Sequence, residues 1–121
     1  MTGFRTLFGR HLKDYQANAR ARGIDWRLTV EEFKAIVSLR CHYCGAGPKR
    51  LVRKCFDGPS PGVFFKSKER LNGIDRIDAN KPYELSNCVA ACKRCNQSKN
   101  NMTPKQFLTW AIRVVAHLGG L

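Results

Sequence analysis

Residues 74 to 96 read IDRIDANKPYELSNCVAACKRCN, and the way this stretch folds decides the rest. Leu71 to Ile77 has the character of a strand, ending at Asp75 and Arg76. ANKPYELSN is polar and turn-rich, so a loop follows. Cys88 to Ala91 then makes a short second strand and Cys92 to Asn100 a short helix. The order is strand, loop, strand, helix. Its first strand ends on an arginine between two carboxylates, in a chain where carboxylates are scarce: 22 Lys+Arg stand against 9 Asp+Glu.

Working outward, Cys92 and Cys95 form a CxxC pair, and Cys41 and Cys44 form another, with residues 45–91 between them. Each pair presents two thiolates from one tight turn, and two such turns complete the tetrahedron of about 2.3 Å bonds that zinc prefers. Two pairs are a strong signal where one would be weak; the competing reading is redox-active or merely buried thiols. Zn²⁺ in this site is expected to be structural, because four sulfurs leave no open position for water or substrate. Cys55 is expected to be an incidental thiol and Cys88 a small buried side chain.

The flanks read as helices. Phe4, Leu7, Phe8, Leu12 and Tyr15 recur at helical spacing, and Gly23 ends that helix. Thr29 with Glu32 forms a capping box for a second helix that buries Val30, Phe33, Ile36 and Val37. Residues 45–70 are basic and turn-rich and are expected to be loop, with a short strand at 63–66. Thr103, Pro104 and Gln106 start a last helix whose buried face is Phe107, Leu108, Ala111, Ile112 and Val115. Trp26 and Trp110 are expected in the core. At 121 residues a single domain is expected: a helical lead-in over 1–40, a zinc-bound core over 41–103 and a C-terminal helix over 104–121.

A formal net charge of +13 implies a polyanionic partner, since a surface this positive gains by releasing the counterions condensed on phosphates. DNA is the leading candidate; RNA has the same charge. A membrane is the rival anionic surface, yet no run of about 18 apolar residues exists to span one. The N-terminus has no uninterrupted apolar core and no small-residue cleavage site, so reduced thiols and an intracellular, cytoplasmic setting are expected. Its basic amphipathic character also matches a mitochondrial presequence, and an ordinary surface helix looks the same.

The segment GIDRIDANKPYELSNCVAACKRCNQSKNN resembles the HNH, or ββα-metal, endonucleases, and RGIDWRLTVEEF followed by CHYCG is similar to the lead-in of their zinc-containing phage, homing and restriction members. The resemblance implies a zinc-stapled α+β fold of ββα-metal type with flanking helices, and a nuclease acting on DNA with Mg²⁺ or Mn²⁺. It implies that Asp75 and Asn96 bind the catalytic ion and that Asn87 braces the loop between the strands. Arg76 departs from the family's usual histidine, the general base. A guanidinium cannot readily take a proton at neutral pH, but it can clamp a phosphate. Arginine occurs here in some family members, restriction enzymes among them.

The proton acceptor must then be sought among His11, His42, His117, Tyr43 and Tyr83, or be dispensed with through water activated by the ion. Asp78 either holds Arg76 or starts the ANKPY turn. Lys66, Lys68, Arg70, Lys93, Arg94 and Lys99 make up the expected DNA-binding surface. Two rivals stand beside the nuclease: a zinc-containing nucleic-acid-binding module without cleavage, and an RNA-processing protein. A homodimer would favour double-strand cuts and a monomer nicking.

Overall fold

The computed structural model describes residues 6–54 and 64–119, without the side chains of 50–54 and 64–68; Phe4, Cys55 and Val63, assigned above to a stripe, a free thiol and a strand, lie outside it. Thr6 caps helix α1 (Leu7–Ala21), its hydroxyl accepting from Gly9 N at 2.9 Å. Past the helix, Gly23 takes φ +68°, a backbone state that favours glycine. Thr29 and Glu32 close a capping box on helix α2 (Val30–Val37). Val30, expected in the core, is half exposed because it occupies the first turn, while Phe33, Ile36 and Val37 are buried.

Phe33 is the hub of the core. It is sealed from water, and the rings of Phe8, His11, Tyr15 and Trp26 surround it at 5.7–5.9 Å between centroids. Leu28, Ile74, Tyr83 and Ala90 complete the apolar contact between the helices and the sheet. Residues 25–27 are stitched to the loop ahead of the last strand, with Arg27 N donating to Tyr83 O at 2.7 Å and Tyr83 N to Asp25 O at 3.0 Å.

Strands β1 (Lys49–Lys54) and β2 (Phe64–Leu71) form an antiparallel hairpin, with Lys49 opposite Leu71 and Lys54 opposite Phe64. This corrects the loop expected over 45–70. Charge masks the alternation in KRLVRK, and pairing with β2 satisfies the backbone that a loop would leave to water. Leu71 belongs to this hairpin rather than to the next strand, because strand structure is interrupted at Asn72. That asparagine is buried, its N–H bonded to Val37 O at 2.7 Å and its amide nitrogen to Leu39 O at 2.8 Å.

Strands β3 (Gly73–Arg76) and β4 (Cys88–Ala91) pair antiparallel, Gly73 opposite Ala91 and Arg76 opposite Cys88, and helix α3 (Lys93–Lys99) follows. These are the two strands and helix of a ββα unit. The buried thiol of Cys88 is pushed up to about 11 by its burial. Helix α4 (Pro104–His117) begins with the expected Thr103–Gln106 box.

None of α4 is buried, which corrects the apolar face assigned to it: Leu108 is 61% exposed, and Ile112, Val115 and Trp110 are about half exposed. Caps and periodicity report that a helix forms; burial needs a second surface. Phe107 has one, standing edge-on to Tyr43 at 5.5 Å.

Candidate functional site

The first cysteine pair is built by a tight turn, in which Cys41 N donates to Ala46 O at 2.8 Å and Gly45 N to Cys41 O at 2.9 Å. Gly45 takes φ +78°, so the turn favours glycine there. His42 N donates to Ala90 O at 2.8 Å and ties this turn to β4, which leads directly into the second pair. Cys92 caps α3, its sulfur accepting from Cys95 N at 3.4 Å.

The sulfurs of Cys41, Cys44, Cys92 and Cys95 all lie within 4.8 Å of one another, and those of Cys44 and Cys92 are 3.7 Å apart. A tetrahedron of about 2.3 Å metal–sulfur bonds has edges of about 3.8 Å. The cluster therefore has the spacing of a four-cysteine zinc site. Its electrostatics agree. Burial raises the Cys41 thiol, but hydrogen bonds from the backbone at Cys92, Cys44 and Tyr43 outweigh this and bring it down to about 7. Burial and the neighbouring sulfurs push Cys95 far up. Clustered thiols without a counter-charge cannot all ionise, and a dication removes that conflict.

Beside this cluster Asp75 is only 5% exposed. Its Oδ2 accepts from the Tyr43 hydroxyl at 2.5 Å and pairs with Lys99 Nζ at 3.0 Å. Lys99 is 1% exposed, also donates to Arg76 O at 3.4 Å, and stands 5.8 Å from the centre of the Tyr43 ring. This corrects its assignment to the DNA-binding surface. On α3, Cys92, Asn96 and Lys99 recur at intervals of four and three, so they share the face turned to the sheet. Burial, then the Asp75 carboxylate, pushes the Tyr43 phenol far up, so it serves as a donor.

Asn96 donates its amide nitrogen to Ile74 O at 3.0 Å and, at longer range, to the Tyr15 hydroxyl at 3.5 Å, which turns its oxygen away from the strand. Asp75 and Asn96 line one cleft of about 380 Å³ with Tyr15, Arg22, Arg76 and Asn100. Tyr15 also accepts from Ile74 N at 3.0 Å, and burial pushes its phenol up.

The sequence reading missed Tyr15, Arg22 and Asn100. Helical spacing marks Tyr15 only as apolar, and nothing local marks the other two.

Arg76 differs from the expected phosphate clamp: it is 8% exposed, and its Nη1 donates to Ala79 O and Lys81 O, both at 2.8 Å. Its guanidinium lies 5.1 Å over the Tyr83 ring. It thus staples the loop that Asn87 braces from the other end. Asn87 Oδ1 accepts from Asp78 N at 2.9 Å, and its nitrogen donates to Asp78 O at 3.1 Å and Pro82 O at 3.0 Å. Of the two roles considered for Asp78, the structure shows the turn, with Oδ1 accepting from Asn80 N at 2.9 Å.

None of the three histidines lines the Asp75 cleft among the described residues. His11 Nε2 lies 2.9 Å from Asn72 O, while His42 and His117 are exposed. Lys93 and Arg94 are exposed and, with Lys49, line a second cavity of about 560 Å³ that shares Tyr15 and Asn96 with the first. Arg70 is exposed; the side chains of Lys66 and Lys68 lie outside the description. Among the described residues no helix is long and apolar enough to cross a membrane.

The rare-cutting HNH restriction endonuclease PacI has a similar structure, with a TM-score of 0.58 over 94% of this chain and 82% of that one, at 20% sequence identity. The chain has an HNH fold. No family model matches the sequence. A curated relative, the uncharacterized protein R423 of Acanthamoeba polyphaga mimivirus, is 30% identical over 111 residues. That match takes in 92% of this chain and 17% of the viral protein, so the chain spans about a sixth of its relative's length. The HNH likeness thus rests on three-dimensional form and on the four-cysteine cluster.

Proposed function

We propose that this chain is a metal-dependent DNA endonuclease of HNH type, nicking or cutting duplex DNA by phosphodiester hydrolysis. The observation that carries the reading is the convergence of Asp75 and Asn96, from a strand and a helix, on one cleft beside the four-thiolate cluster. Cys41, Cys44, Cys92 and Cys95 would hold Zn²⁺ and fix α3, and with it Asn96. One carboxylate and one amide oxygen suit a hard ion that leaves its other positions to water and phosphate. Both contacts of Asp75 described above fall on Oδ2, which leaves Oδ1 as the ligand atom. Mg²⁺ or Mn²⁺ bound there would supply positive charge to the phosphate and a more acidic water.

The chain's own residues do the positioning. Lys99 and Tyr43 hold the Asp75 carboxylate, and Arg76 and Asn87 hold the loop that follows it. Lys49, Arg70, Lys93 and Arg94 neutralise flanking phosphates. Metal-ligating thiols fit a reducing, intracellular setting. The uncovered apolar face of α4 fits a homodimer, in which two sites would address the two strands.

One observation favours a second reading, a zinc-containing nucleic-acid-binding module without cleavage: Lys99 already supplies Asp75 with a positive partner. Supercoiled plasmid incubated with the protein and Mg²⁺ or Mn²⁺ separates the two. Relaxation or linearisation by the parent, lost in Asn96→Ala and in Asp75→Asn at unchanged zinc content, supports the nuclease. Plasmid that is retarded but uncut in every divalent ion supports the binding module.

A further inference from the structure

Tyr15 lines both cavities, as does Asn96, to which its hydroxyl is joined. Its oxygen accepts from Ile74 N at 3.0 Å and from Asn96 Nδ2 at 3.5 Å. A phenol carries one proton beside its acceptor positions, and with those occupied the proton is left to donate. Among the described residues no acceptor for it is found. The strand is cut away to receive this group: a Cβ at Gly73 would fall 2.2 Å from the hydroxyl oxygen. Phe33 and His11 hold the ring, at 5.9 and 5.2 Å. The hydroxyl is thus fixed by ring contacts, a backbone donor and a glycine, in a residue that borders both clefts, with one proton left to donate.

Arg22 borders one cleft, and Lys49, Lys93 and Arg94 the other. A ligand drawn by those charges brings anionic oxygens, which accept and do not donate. We propose that Tyr15 is a phosphate-contacting residue of this site, donating its hydroxyl proton to a non-bridging oxygen of the phosphodiester that enters beside Asp75 and Asn96. This rests on the nuclease reading above. The same hydroxyl, by accepting from the Asn96 amide nitrogen, keeps the Asn96 oxygen facing the cleft. A donor that meets charge growing on the phosphate accelerates the reaction more than it tightens binding.

The test is single-turnover nicking of supercoiled plasmid in Mg²⁺ at saturating protein, with rates taken per zinc-loaded molecule. Tyr15→Phe keeps the ring and removes the donor. Its rate should fall about 10- to 100-fold, the range for losing a hydrogen bond to a charged group, while plasmid retardation moves little. Gly73→Ala should displace the hydroxyl and lower the rate similarly. In the Tyr15→Phe background it should add no more than about twofold, because the group it displaces is already gone. Cutting by Tyr15→Phe at the parental rate overturns the inference and leaves the nuclease reading standing. Equal losses of rate and DNA affinity, or losses that multiply in the double variant, mark a structural role and also overturn it. No cutting by the parent overturns the nuclease reading and this inference with it.

Discussion

Lys99 and Asp75 form an ion pair at 3.0 Å with side chains 1% and 6% exposed. Two charges removed from water this completely are held by each other and by the groups around them, Tyr43 on the carboxylate and the Arg76 carbonyl on the ammonium. The pair joins β3 to α3, so it sets the carboxylate against the helix that carries Asn96. Removing either charge strands the other.

Lys99→Met should therefore destabilise the fold by about 3–5 kcal/mol, the range for breaking a buried pair. Urea unfolding at fixed zinc occupancy measures it. A loss below about 1 kcal/mol would place Lys99 on the surface after all.

Lys93 and Arg94 share α3 with Lys99 yet are exposed. Lys93→Ala and Arg94→Ala should leave stability within about 0.5 kcal/mol and weaken DNA binding. Each lost phosphate contact should reduce the slope of log K against log salt by about 0.9. Retardation assays over a salt series read that slope directly.

The capping boxes at Thr29 and Thr103, the two CxxC turns and the strand–loop–strand–helix order were legible because each is written within a few neighbouring residues. Burial was not, because it depends on what lies opposite. Lys99 reads as one more surface cation until Asp75 and Tyr43 are seen to face it. Leu108 and Ile112 read as core until α4 is seen to have no covering layer among the described residues. The role of the Tyr15 hydroxyl becomes visible only when that side chain is seen to meet β3 at Gly73, 58 positions later in the chain. The β1–β2 hairpin was hidden by its own charge.

Removing zinc should cost the fold, not only the site, since the four thiolates close the loop that carries β1 to β4. A chelator should reduce helical circular dichroism and the thermal midpoint together, and zinc should restore both. Burial and the neighbouring sulfurs push the Cys95 thiol far up, so it holds its proton until zinc binds. Zinc must displace its proton, so affinity should rise with pH and zinc should be released on acidification. Release that is indifferent to pH between 5 and 8 would contradict four-thiolate binding.

Helix α4 leaves Leu108, Trp110, Ile112, Val115 and Leu118 exposed. An apolar face this large should pair two copies of the chain, and sedimentation equilibrium should show a concentration-dependent dimer. Ile112→Glu should shift it to monomer without loss of zinc. A monomeric parent at millimolar protein would rule this pairing out.

The most direct test of the account is a crystal grown with zinc and soaked in Mn²⁺, examined by anomalous scattering at energies that distinguish the two metals. The account predicts zinc among the four sulfurs and a separate manganese peak in the cleft between the Asp75 and Asn96 oxygens. Manganese absent from that cleft, with Asp75 still paired to Lys99 alone among the described residues, would contradict it.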